Sequence, residues 1–191
     1  MLENLIQTIS QKVTLLNEDI TLIQNYFEPI SYSKNTIVEE QDKLPEYLFF
    51  INSGFMRLFY YDENGDENTI QFSTKNDFIA SYLSFIQNTP AKENVECITD
   101  CELLRIKKTD LKTLIEASEN FKNYSLLIFQ HAMTVSDGRA KDLATLTAEQ
   151  RYKKLIDTQP KILQNVPMQY IASFLGIKPE SLSRIRKNMI S

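Results

Sequence analysis

The spacing of apolar residues changes twice along the chain, and this limits the available folds more than any other feature. Residues 1–27 carry apolar side chains at helical spacing, and Asn17 ahead of Glu18 and Asp19 reads as an N-cap with an acidic first turn before Ile20, Ile23 and Phe27. After Pro29 the period becomes that of strands. From Ile30 to Ile106 short runs follow one another: NTIV, EYLFFINSG, FMRLFYY, ENTIQF, VECI and ELLRI. Turn-forming clusters such as Asn52-Ser53-Gly54 and Asp62-Glu63-Asn64-Gly65-Asp66 separate them. Several short strands so close together predict an antiparallel barrel or roll. From Thr109, whose hydroxyl is a candidate cap, to Leu146 the helical period returns, so the fold class is α+β.

This second helical region has two apolar stripes. Phe121, Ile128 and Val135 step by seven, and so do Leu126, Met133 and Ala140, with Phe129 and Leu143 beside them. One stripe is enough to dock a helix on its own domain; the second is met by the same helix of another subunit or by burial within the monomer. Gly138 reads as an interruption of the helix.

At 191 residues and 42% hydrophobic content the chain can bury a core, as one domain or two small ones. No run approaches a membrane span of about 18 apolar residues. The start MLENLIQTIS lacks the basic and apolar regions of a signal peptide, so the expectation is a soluble cytoplasmic protein. Cys97 and Cys101 are too few for a disulfide framework, and with His131 the sole histidine they do not complete a zinc site; both read as packed thiols on a strand. No nucleophile triad, phosphate-cradling glycine loop or metal cluster stands out among four glycines and one histidine, so no enzyme is expected.

Charge divides the chain unevenly. Residues 1–150 hold 13 Lys/Arg against 23 Asp/Glu, whereas residues 151–191 hold 8 against 2. An acidic body with a basic end implies that the end alone meets a polyanion, or else that the cluster is a solvated helix face.

That end reads as three short helices. Thr147 with Gln150 fits a capping box, and the helix it opens stops near Pro160. Val166-Pro167 starts a second, bearing Ile171, Ala172 and Leu175 and ending at Gly176, where a left-handed residue turns the chain. Pro179 begins a third, with Leu182, Ile185 and Met189 facing inward. Helix, glycine turn, helix is a helix-turn-helix, whose second helix reads base edges in the major groove. Glu180 can accept from a cytosine amino group, and Arg184, four residues on, can bond guanine O6 and N7 in parallel. Ser181 and Ser183 suit bases or phosphates, and Arg186 and Lys187 suit phosphates. The competing reading makes Glu180 and Arg184 an ordinary i,i+4 surface bridge.

The stretch IASFLGIKPESLSRIRK, with AEQRY, Pro160 and Val166-Pro167 before it, resembles the helix-turn-helix of the Crp/Fnr family of bacterial transcription regulators, in particular its Bacteroidetes branch. EYLFFINSGFMRLFYYDENGDENTIQF resembles the family's cyclic-nucleotide-binding-type roll, so the likeness spans nearly the whole chain. It implies a sensor roll over residues 1–108, a dimerisation helix over 109–146 and a DNA-binding domain over 147–191. It also implies double-stranded DNA, a second copy of the chain and RNA polymerase as partners, with no membrane. The family's major-groove glutamate and arginine fall on Glu180 and Arg184, while Pro179 replaces the arginine that often precedes the glutamate, so the family's best-known operator sequence does not carry over. The chain stops soon after this helix, as is typical of the branch.

The sensor cassette departs further. The family's Gly-Glu pair is Ile79-Ala80 here, and no arginine follows before the next strand; Lys92 supplies charge but no guanidinium fork. Cyclic AMP is therefore not the expected effector, and two cysteines and one histidine supply neither an iron-sulfur cluster nor a haem, so no cofactor is expected. His131 reads as structural or interfacial. Candidate effector contacts are Tyr82, Ser84, Phe85 and Lys92 in the cassette, with Arg57 and Tyr61 on neighbouring strands; the same residues can simply fill the core. The leading expectation is a homodimeric, sequence-specific DNA-binding regulator, and the alternative is a ligand-binding signalling module without specific DNA readout.

Overall fold

The structure, a computed structural model, describes residues 1–190. Two short helices, α1 (Leu2–Ser10) and α2 (Asn17–Tyr26), precede eight strands: β1 (Glu28–Tyr32), β2 (Ile37–Glu39), β3 (Tyr47–Ser53), β4 (Phe55–Tyr61), β5 (Glu67–Thr74), β6 (Phe78–Ile79), β7 (Asn94–Cys97) and β8 (Cys101–Lys107). Helix α3 (Tyr82–Gln87) lies between β6 and β7. The strands form two antiparallel four-stranded sheets, β1-β8-β3-β6 and β2-β7-β4-β5, as the turn spacing predicts. The tight corner between β3 and β4 requires glycine. Gly54 has φ +104°, and a Cβ there would stand 2.5 Å from Cys101 Sγ and 2.7 Å from the Asp100 carbonyl.

The run YLFFI in β3 does not alternate because both faces of its sheet are covered. Phe49 and Ile51 join Met56, Leu58, Val95 and Leu103 between the sheets, while Leu48 and Phe50 pack outward with Leu5, Ile9, Ile23, Phe27 and Phe121 of the helical layer. Cys97 and Cys101 are free, buried thiols at the ends of β7 and β8. Two strands escaped the sequence reading: polar, mostly exposed β1 and two-residue β6.

The second helical region is two helices, α4 (Lys108–Ala117) and α5 (Glu119–Thr145). Ser118 breaks it. Its hydroxyl accepts from Phe121 N–H as the N-cap of α5 and donates to the buried Asp19 carboxylate, which also receives Asn120 Nδ2 and the Leu16 amide at 2.8 Å each. Burial opposes charge on Asp19, but these hydrogen bonds outweigh it and hold the carboxyl below its usual range. Leu16, not Asn17, is therefore the residue preceding α2, and Thr109 caps nothing, its hydroxyl donating to Asp110. Helix α5 runs unbroken through Gly138, which interrupts nothing. Of its stripes, Phe121, Ile128 and Val135 turn toward the roll, whereas Leu126 and Met133 are 52% and 49% exposed.

Four helices rather than three complete the chain: α6 (Ala148–Thr158), α7 (Pro160–Asn165), α8 (Met168–Phe174) and α9 (Pro179–Ile190). The capping box of Thr147 and Gln150 is present, with reciprocal bonds of 2.9 and 3.2 Å. Helix α6 stops at Thr158, just before Pro160 as expected, and Pro160 itself occupies the first turn of α7, where its missing N–H costs nothing. Leu182 is fully buried and Ile185 half-buried, but Met189 is 39% exposed and faces solvent. These helices do not form an isolated core. Phe72 of β5 and Ile98 belong to the same buried cluster as Tyr152, Leu155, Ile171, Leu175 and Leu182. Among the described residues no helix is long and apolar enough to cross a membrane.

Candidate nucleic-acid interface

Helices α8 and α9 form the helix-turn-helix. Gly176 has φ +66°, and its amide bonds the Ser173 carbonyl at 2.9 Å while Ile177 N–H reaches Ala172 O at 3.0 Å, closing α8 through a left-handed residue. Arg151 clamps the same corner, giving Nε and Nη2 to Leu175 O and Nη1 to Leu146 O, so one guanidinium ties the end of α5 to the end of α8. AEQRY marks this arginine in the sequence, but nothing local reveals its distant partner.

Leu182 anchors α9, and the helical period then sets what faces out. Glu180, Ser183, Arg184 and Lys187 lie on the opposite face and are exposed; Ser181 is half-buried at its flank. Glu180 and Arg184 make no ion pair with each other among the described residues. Arg186 sits off this face, with Nη1 2.9 Å from Met168 Sδ at the start of α8.

Behind the helix-turn-helix lies an arrangement that sequence reasoning missed. Arg57 of β4 is 1% exposed, with Nε 2.5 Å from Glu96, Nη2 2.5 Å from Glu67 and Nη1 3.2 Å from Thr69. Its guanidinium is sandwiched between the rings of Phe59 and Tyr170, 3.9 and 3.5 Å from their centroids. Tyr170 belongs to α8. The next turn of that helix completes the dock: Ser173 Oγ accepts from Thr69 N–H and donates to Glu67 C=O, each at 2.8 Å, pairing the free edge of β5 as a neighbouring strand would. Arg139 of α5 gives Nη2 to Thr69 O and Phe174 O, and burial lowers its pKa. Arg57, a candidate effector contact by sequence, is thus a clamp between roll and helix-turn-helix.

The other effector candidates scatter. Ser84 and Phe85 are buried among core residues, and Lys92 and Tyr61 are exposed, Tyr61 stacking edge-on against Phe59 at 5.4 Å. Tyr82 is brought to a cleft between the roll, α5 and α7. His131 is exposed on α5 and faces that cleft. Among the described residues no group of three or more His, Cys, Asp and Glu could hold a metal ion.

The cassette at α3 is acidic. Ser81, which precedes α3, gives its N–H to Glu39 at 2.7 Å and its hydroxyl to Glu93. Glu39 is 7% exposed, its second oxygen has no hydrogen-bond partner, and burial, reinforced by Glu93, raises its carboxyl to about 7 against the bond from Ser81. A cyclic phosphate here would meet two carboxylates and no arginine, so these residues do not fit a cyclic nucleotide.

Residues 29–118 match the cyclic nucleotide-binding domain family. No curated protein sequence matches the chain. Solved structures do. FixK2 from Bradyrhizobium japonicum superposes with a TM-score of 0.75 at 16% identity, over 85% of this chain and 84% of that one. A putative Crp/Fnr-family regulator from Eubacterium rectale gives 0.72 at 17% identity, over 91% and 83%. CLP of Xanthomonas campestris, a c-di-GMP-responsive global regulator, gives 0.70 at 18% identity, over 90% of each chain. Its fold is that of these solved Crp/Fnr-type structures. Within that fold a cyclic nucleotide-binding-type roll, acidic at its cassette, is joined to a helix-turn-helix seated on the edge of the roll.

Proposed function

We propose that the protein is a sequence-specific DNA-binding transcription regulator that acts as a homodimer and does not respond to cyclic AMP. The observation that carries this reading is the exposed face of α9, where Glu180, Ser183, Arg184 and Lys187 stand opposite buried Leu182. A glutamate and an arginine one turn apart at the start of such a helix match the amino group of cytosine and the O6/N7 edge of guanine, and Ser181, Arg186 and Lys187 serve phosphates. The 8 Lys/Arg against 2 Asp/Glu of residues 151–191 give that end the sign a duplex requires.

Residues 1–108 act as the sensor unit, 109–146 as the dimerisation segment and 147–191 as the DNA-binding unit. The exposed stripe of Leu126 and Met133 on α5, together with Leu83 and Ile86 of α3, which are 59% and 50% exposed, supports pairing with a second copy. Two recognition helices would then enter major grooves about 34 Å apart. Acidic Glu39 and Glu93 support independence from cyclic AMP. RNA polymerase is the remaining partner such a regulator requires, and binding rather than catalysis is the activity.

Arg184→Ala and Lys187→Ala test the assignment on one operator and its single-base variants. Arg184→Ala should lose about 1–3 kcal/mol of discrimination at one base pair, whereas Lys187→Ala should weaken all sequences alike and flatten the salt dependence. Identical behaviour of the two variants contradicts the role given to Arg184.

A further inference from the structure

The cleft that Tyr82 and His131 line has a volume of about 800 Å³ and is bounded by β5, by α5, by the residues after α1 and by the junction of α6 and α7. Sites for small molecules span about 300–1,000 Å³ and pair apolar walls with a few convergent polar groups. Here the walls are aromatic, with Phe72 and Phe78 among them. The polar groups include Tyr82, Tyr124, Asp77, His131, Lys12 and Lys161.

Several of these groups are underused by the protein. Tyr82 and Tyr124 are largely buried, and neither hydroxyl has a hydrogen-bond partner among the described residues, which leaves both free to meet solvent or an occupant of the cleft. Asp77 accepts from Thr74 N–H at 2.8 Å through one oxygen, and its other oxygen receives no hydrogen bond among the described residues. Burial raises the Asp77 carboxyl, the Thr74 bond and the nearby His131 acting the other way. A carboxylate and two phenols therefore share the cleft with the exposed imidazole of His131 and the exposed ammonium of Lys12.

We propose that this cleft binds a free aromatic α-amino acid. Such a molecule carries an ammonium and a carboxylate on neighbouring atoms, as Asp77 and His131 neighbour each other, and a ring suited to the Phe72 and Phe78 wall. A second copy of the chain paired through Leu126 and Met133 leaves the cleft open, because those residues lie about 140–160° around α5 from His131 at 3.6 residues per turn. The cleft touches the roll, the long helix and the α6–α7 junction together, so the occupant would bias how the helix-turn-helix sits. That last consequence rests on the function proposed above, but binding itself does not.

The chain contains no tryptophan, so indole fluorescence reports L-tryptophan directly. Titration of L-tryptophan with the full chain, without DNA, should saturate with a Kd below about 1 mM. Tryptamine, which lacks the carboxylate, and indole-3-propionate, which lacks the ammonium, should each bind at least about tenfold more weakly. Asp77→Asn should weaken tryptophan by about tenfold and Tyr124→Phe by about threefold, while Lys92→Ala, outside the cleft, should change nothing. The proposal is overturned if folded protein shows no saturable binding up to about 10 mM, if the three probes bind equally, or if Asp77→Asn and Tyr124→Phe both bind as the parent does. Because DNA is absent, these outcomes leave the DNA-binding reading untouched. Loss of operator recognition with tryptophan binding intact would sink only that reading.

Discussion

Replacing Arg57 with methionine removes the cation but keeps much of the side chain's volume, and the cost follows from what stays behind. Glu96 is only 8% exposed at its side chain and would be left charged in an apolar setting; breaking a buried pair in this way costs about 3–5 kcal/mol. Glu67 is 39% exposed, so its share is screened and adds at most about 1 kcal/mol. The Tyr170 and Phe59 rings lose their cation as well, within the same range. For a chain of this size each kcal/mol moves the Tm by about 2–4 °C, so Arg57→Met should lower it by about 6–20 °C. Removing the orphaned charge as well, in Arg57→Met/Glu96→Met, should recover most of the loss. Scanning calorimetry reads both variants. A drop below about 2 °C for the single variant, or a double variant no better than the single, refutes the clamp reasoning.

Two further perturbations follow from buried carboxylates. Because the folded-state pKa of Glu39 is raised from 4.5 to about 7, the folded protein holds the extra proton and stability falls as pH rises from 4.5 to 7, the full penalty remaining above that. Glu39→Gln should flatten this slope and gain about 3 kcal/mol at pH 8, read from urea unfolding at pH 5 and 8; an unchanged slope contradicts the assignment. Ser118→Ala deletes the cap of α5 and a donor to Asp19, and should cost about 1–3 kcal/mol, while Ser118→Thr retains most of it. Since the Asp19 pKa is depressed, its contribution is present above the unfolded value of 3.8 and lost as pH falls through the folded one, so the alanine variant should also show a weaker acid-side decline.

What was legible in the sequence was local. Glycine turns and short apolar runs located six of the strands, Gly176 and Pro179 delimited the two helices of the reading motif, and the Thr147–Gln150 box fixed the start of α6. The break at Ser118 carries no Gly or Pro; its signal was a serine followed by Glu119, an ordinary cap and acidic first turn embedded in helical periodicity. Pro160 is ambiguous for a physical reason, since the same missing N–H that ends one helix suits the first turn of the next. The seating of the helix-turn-helix was illegible. It depends on Arg57 meeting Tyr170 and on Ser173 pairing the β5 edge across more than 100 residues, and no local pattern encodes such a partnership.

The central claim is tested most directly by selecting bound duplexes from a random DNA pool with the purified full chain at near-physiological salt. The expected result is enrichment of an inverted repeat whose half-sites lie about one helical turn, roughly 34 Å, apart. If folded protein enriches no sequence over the starting pool, with or without L-tryptophan, the face of α9 does not read DNA and the account is wrong.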